Sequence, residues 1–73
     1  MRQYRFYLEL NHEQVLAFYQ GHITAVQVLT DEGLRLQADL SYFRRFFTHF
    51  GVSGNFVLTT SAEGKFIRLD KIN

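Results

Sequence analysis

A chain of 73 residues with no cysteine and no proline has room for one domain, residues 1–73, and for no disulfide or cysteine-bound metal staple. Eight basic and seven acidic residues leave a net charge of +1, which excludes the global cationic field of a nonspecific nucleic-acid binder. Eight phenylalanines and four tyrosines instead give so short a chain a large apolar payload, each buried ring removing about 150–250 Å² from water.

In chain order, Tyr4, Phe6, Leu8 and Leu10 alternate with Arg5, Tyr7 and Glu9, the pattern of a strand with one buried and one wet face. The same charged alternation is unlike a signal peptide, and no apolar run reaches the length of a membrane span. With the absence of cysteine, these features lead to the expectation of a soluble, cytoplasmic protein without a membrane partner. Asn11 followed by Gln14 predicts a capping-box start to a short helix, with Val15, Phe18 and Tyr19 on one face and Gly21 at its end. Ile23 to Thr30 is β-branched and apolar on both faces, which predicts a central strand. Asp31-Glu32-Gly33 reads as a hairpin turn, and Leu34 to Ala38 returns with Leu34, Leu36 and Ala38 inward.

Leu40 to Phe50, LSYFRRFFTHF, is the richest stretch. At about 100° per residue, Leu40, Phe43, Phe47 and Phe50 form one apolar stripe of an α-helix, with Phe46 on its edge. Tyr42, Arg45 and His49 fall together on another side, and Arg44 projects from the opposite flank. Asp39 is the predicted N-cap and Gly51 the predicted C-terminal stop. Gly51-Val52-Ser53-Gly54 then reads as a turn. Asn55 to Thr60 and Lys65 to Ile72 make a second hairpin around Ser61-Ala62-Glu63-Gly64.

The resulting order is strand, helix, strand, strand, helix, strand, strand. It predicts a small α+β domain: a five-stranded, mostly antiparallel sheet with two short helices on one face. The alternative is a small SH3-like or Sm-like barrel with helices plugging its ends.

The chemistry-bearing residues point away from catalysis. His12, His22 and His49 are far apart in sequence, and none has a second ligand at helical spacing. There is no cysteine nucleophile, and Ser41, Ser53 and Ser61 lack a nucleophile-elbow context. Domains of this size also have little volume for a ligand pocket of about 300 Å³ or more. We therefore expect no enzyme, no metal, no cofactor and no small-molecule ligand.

The pattern Tyr4-x-Phe6-x-Leu8, Phe18-Tyr19-Gln20-Gly21, Val26-x-Val28, Asp31-x-Gly33, followed by Phe43-Arg44-x-Phe46 and Thr48-His49-x-Gly51-Val52-x-Gly54-x-Phe56, is collinear over nearly the whole chain. It resembles the short bacterial proteins grouped as the "domain of unknown function 2835" family. The resemblance implies a bacterial, stand-alone domain and no particular activity. Prolines are usual in that family near positions 39 and 45, where this chain has Asp39 and Arg45. That departure favours a longer helix here.

The candidate binding residues are Tyr42, Arg44, Arg45 and His49. Arginine beside exposed aromatics is the composition of a protein-interface hot spot, and equally of a surface that stacks nucleotides. The first reading is a non-catalytic protein-interaction module, homodimeric in one version. The alternative is a nucleic-acid-binding accessory domain with Arg44 and Arg45 on phosphate. The bland reading leaves the phenylalanines in the core and both arginines solvated or paired with Asp39 or Glu32.

Overall fold

A computed structural model describes all residues, 1–73. The elements are β1 (Arg2–Asn11), α1 (His12–Tyr19), β2 (Ala25–Leu29), β3 (Arg35–Asp39), a 3₁₀ helix (Leu40–Phe46), β4 (Gly51–Thr60) and β5 (Phe66–Lys71). The class is α+β with antiparallel strands, as the element order predicts. The strands divide, however, into a three-stranded sheet β1-β4-β5 and a two-stranded sheet β2-β3. A lone bridge between Phe6 and Thr30 links the two ladders, reinforced by the Asp31 N–H donating to the Arg5 carbonyl at 2.8 Å.

The central strand is thus β4, not the Ile23–Thr30 segment. The ten-residue β4 pairs along its whole length with β1, from Arg2 opposite Thr60 to Asn11 opposite Gly51. Residues 51–54 therefore belong to the strand rather than to a turn. In the β2-β3 hairpin only Val28 and Ala38 are fully buried, and Leu29 and Leu34 face water. A two-stranded ribbon has one face to bury, so a strand with apolar residues on both faces must expose those on one of them.

Local signals hold well where the chain is short-range. The Asn11 side chain accepts from Gln14 N–H at 2.9 Å, and the Gln14 side chain accepts from Asn11 N–H at 2.9 Å, completing the capping box. After α1, His22 N–H bonds to the Ala17 carbonyl and Gly21 N–H to the Phe18 carbonyl, the two bonds of a Schellman ending. Replacing Asn11 by alanine is expected to lower stability by about 1 kcal/mol, because Gln14 N–H loses its acceptor. Urea unfolding of the two proteins, compared by midpoint, checks this value.

The core lies between the inner face of β1-β4-β5 and everything laid across it. Phe6, Leu8 and Leu10 of β1 meet Phe56 and Leu58 of β4 and Leu69 of β5, and Val15, Leu40 and Phe43 close over them. Phe43 is fully buried, with its ring edge-on to Phe56 at 5.3 Å and to Phe6 at 6.1 Å.

The aromatic segment departs most from expectation. It forms a 3₁₀ helix of seven residues, capped by Asp39, whose carboxylate accepts from Ser41 N–H at 2.9 Å. It ends at Phe46, with Phe47 already extended. At three residues per turn the inward stripe is Leu40, Phe43 and Phe46, spaced by three. Phe47 leaves that stripe, and Phe50 is 85% exposed. The physical cause lies in the next strand. A straight helix through residue 50 would run about 16 Å at 1.5 Å per residue. Gly51 must instead sit beside Asn11 to begin the β1-β4 ladder, so the chain turns back early. Gly51 starts that strand and is no helix stop; its N–H and C=O both bond to Thr48 across the His49-Phe50 turn.

Candidate functional site

The 3₁₀ geometry decides where the four candidate side chains go. Residues three apart eclipse, so Tyr42 and Arg45 share one side, while Arg44 turns about 120° away toward the side of Phe47. His49 lies beyond the helix and leaves the group altogether. The expected cluster of Tyr42, Arg45 and His49 therefore does not form, and the two adjacent arginines serve different surfaces.

Arg45 faces β5. Its guanidinium donates to the Leu69 carbonyl and lies over the Phe46 ring, 4.6 Å from the centroid. Tyr42 stacks on Phe66 with centroids 3.9 Å apart and planes within 16°. Between them runs a groove of about 380 Å³, walled by Tyr42 and Arg45 on one side and by Phe66, Ile67 and Arg68 on the other. The Tyr42–Phe66 stack also walls a neighbouring depression of about 270 Å³ beneath Gln37 and Asp39 of β3. The depression marks the seam where the two sheets fail to close, and the groove extends it along β5 from the shared Tyr42–Phe66 stack. Phe66 and Ile67 are 40% and 46% exposed, so apolar surface is open along the seam.

Arg44 faces α1 and lies over the Tyr19 ring at 5.6 Å, where Tyr19, Phe18 and Phe47 pack edge to face. Neither arginine pairs with Asp39 or Glu32; the one close ion pair is Arg68 with Asp70, 2.8 Å apart and well exposed. His49 meets His12, a contact the sequence spacing hides: the rings are 5.6 Å apart and His12 Nδ1 lies 3.0 Å from the His49 carbonyl oxygen. No third histidine, cysteine or carboxylate joins them as a metal site would require.

Phe66 and Ile67 were not legible as site residues. One signal was present: two adjacent apolar residues cannot both lie on the one covered face of a regular strand; here a register shift opposite Thr59 and Thr60 sets both against the groove. Their apposition to Tyr42, across more than twenty residues, has no local signature.

Residues 2–72 match the family described as "Protein of unknown function (DUF2835)". The chain belongs to this family. No curated protein and no solved structure matches it. The DUF2835 match spans the β1 alternation, the aromatic 3₁₀ helix and both hairpins, so the seam and its lining fall inside the family's extent.

The opposite face of the DUF2835 sheet, uncovered by any helix, is polar. There Tyr7 donates its phenol proton to Glu9 at 3.1 Å, and that hydrogen bond raises the Tyr7 pKa above the ordinary tyrosine value. Because the folded value is raised, the contact supports the fold at neutral pH and is lost as pH climbs through the folded pKa. No helix is long and apolar enough to cross a membrane.

Proposed function

We propose that this chain is a non-catalytic protein-interaction module that binds through the groove between the 3₁₀ helix and β5. The observation that carries the reading is the seam itself. Tyr42, Phe66 and Ile67 present accessible apolar surface beside a cation, on an edge strand with no further strand on its outer side. Aromatic and arginine side chains around a desolvated centre are where protein interfaces concentrate their energy. The groove has no convergent acid, base or nucleophile, which favours recognition over chemistry. The expected setting is the bacterial cytoplasm, suited to a chain without cysteine.

A nucleic-acid reading draws less support, because Arg44 and Arg45 diverge to different sides of the helix and do not line one phosphate track. The test is a photo-crosslinking amino acid at position 66, compared with one at Glu32 in the distant β2-β3 turn. Protein adducts at 66 and none at 32 are expected, and Tyr42→Ala should diminish them. Equal labelling at both positions would remove the reading. Salt-sensitive binding of a single-stranded oligonucleotide without protein adducts would favour the alternative.

A further inference from the structure

We infer that the strand which docks on β5 is β5 of a second copy of this chain, in an antiparallel register centred on Leu69. The inference rests on the interaction-module reading and commits that surface to one occupant. Its basis is the charge order along the strand. β4 lies on one side of β5, and the other side has no strand. The Leu69 carbonyl that Arg45 reaches is therefore on the free edge, and the N–H of the same residue points the same way.

If two such edges meet with Leu69 opposite Leu69, the two residues exchange both of their hydrogen bonds across a two-fold axis. Arg68 of each copy then lies directly opposite Asp70 of the other, on the same face of the combined sheet. Ile67 falls opposite Lys71, whose aliphatic stem can lie along it while the ammonium stays wet. The strand sequence Ile67-Arg68-Leu69-Asp70-Lys71 is thus self-complementary in this register. A register shifted by two residues, pairing Leu69 with Ile67 or Lys71, sets Arg68 against Arg68 or Asp70 against Asp70. The Arg68–Asp70 contact within each chain, 2.8 Å long and exposed, is exchanged for a contact between chains, two for two in the dimer.

Arg45 is the guard on this edge. By donating to the Leu69 carbonyl it occupies the acceptor at the centre of the register and, with the 3₁₀ helix that carries it, leaves Leu69 only 1% exposed, which protects the edge from indiscriminate pairing. Association must displace that guanidinium, which the Leu69 N–H of the second copy replaces.

The experiment is sedimentation equilibrium over a concentration series, on the full chain and on charge variants. The natural chain is expected to show a monomer–dimer equilibrium. Arg68→Asp alone places carboxylates opposite each other, and Asp70→Arg alone places guanidinium groups opposite each other. Each is expected to weaken self-association about tenfold, from two reversed cross-strand pairs. Mixing the two single variants restores opposite charge at both contacts and should recover a dimer at least as tight as the natural one. Arg45→Met, which frees the central acceptor, should tighten the dimer several-fold. Circular dichroism of each variant confirms that the fold persists.

A chain that stays monomeric at all concentrations, with Arg45→Met equally monomeric, overturns the inference. So does a dimer insensitive to both charge reversals, or a mixture that fails to associate. In any of those outcomes, heterologous protein crosslinks at position 66 would leave the interaction-module reading standing; their absence would end both.

Discussion

Phe43→Ala is expected to cost about 3–5 kcal/mol, enough to leave much of the protein unfolded at room temperature. Phe43 is fully buried and is the side chain through which the 3₁₀ helix joins the sheet, set edge-on between Phe6 and Phe56. Its removal opens a cavity bounded by β-strands that cannot collapse into it without breaking their ladder. A domain of this length has a total stability of about 4–11 kcal/mol, so one such cavity consumes a large share. Phe43→Leu keeps most of the volume and should cost under about 2 kcal/mol. The control is Phe50→Ala. Sequence periodicity places Phe50 on the same stripe as Phe43, yet at 85% exposure its removal should change stability by no more than about 0.5 kcal/mol. Chemical unfolding of the three variants separates the cases. If Phe50→Ala proved as damaging as Phe43→Ala, the short 3₁₀ helix would be wrong and a longer α-helix right.

The second large effect is expected at Gly51. Its φ is +116°, and a Cβ built there would stand 2.1 Å from the Leu10 carbonyl oxygen, with Asn11 and Leu10 carbonyl carbons at 3.0 and 3.1 Å. All three are backbone atoms of β1, which cannot swing aside as a side chain could. Gly51→Ala must therefore part β1 from β4 at the end of their ladder, in addition to holding a strained backbone. A loss of about 3–5 kcal/mol is expected. Gly54→Ala offers the comparison. There the Cβ would meet the Asn73 carbonyl oxygen at 2.4 Å and the Lys71 Cε at 2.6 Å. The lysine side chain can move, and Asn73 lies past the end of β5, where a shift costs its hydrogen bonds to Asn55 but leaves the β1-β4 ladder whole. A smaller cost of about 1–3 kcal/mol follows. Thermal unfolding that ranks Gly54→Ala as the worse variant would contradict the close β1-β4 approach.

The contrast between these positions and their sequence reading is instructive. Gly51 and Gly54 carry a turn signature, and glycine in such spacing is most often a cap or a turn. Here both sit inside a strand, where their missing side chains let other backbone come close. Local chemistry shows that a side chain is unwelcome at a glycine; it does not show whether the reason is a dihedral angle or a neighbour. Arg44 and Arg45 show the same limit at the candidate site. Their exposure was legible, because a guanidinium has no place in an aromatic core without a partner. So was their divergence, since neighbours on either kind of helix point about 100–120° apart; what was not legible is that the helix ends at Phe46 and drops His49 from the group.

Sequence alone determined the elements that depend on neighbours a few residues away. The β1 alternation, the Asn11–Gln14 capping box, the Asp39 cap, the turns at residues 31–33 and 61–64, and the α+β class follow from side-chain period and cap chemistry acting over single turns. Tertiary structure alone decided the length and pitch of the aromatic helix, the choice of β4 as central strand, the split into two sheets, and the groove that joins Tyr42 to Phe66. Each of these depends on a contact between distant segments, above all on Gly51 having to lie against Asn11. Such contacts are settled by which arrangement buries the most aromatic surface while keeping every strand paired, and that competition has no signature in a local stretch of chain.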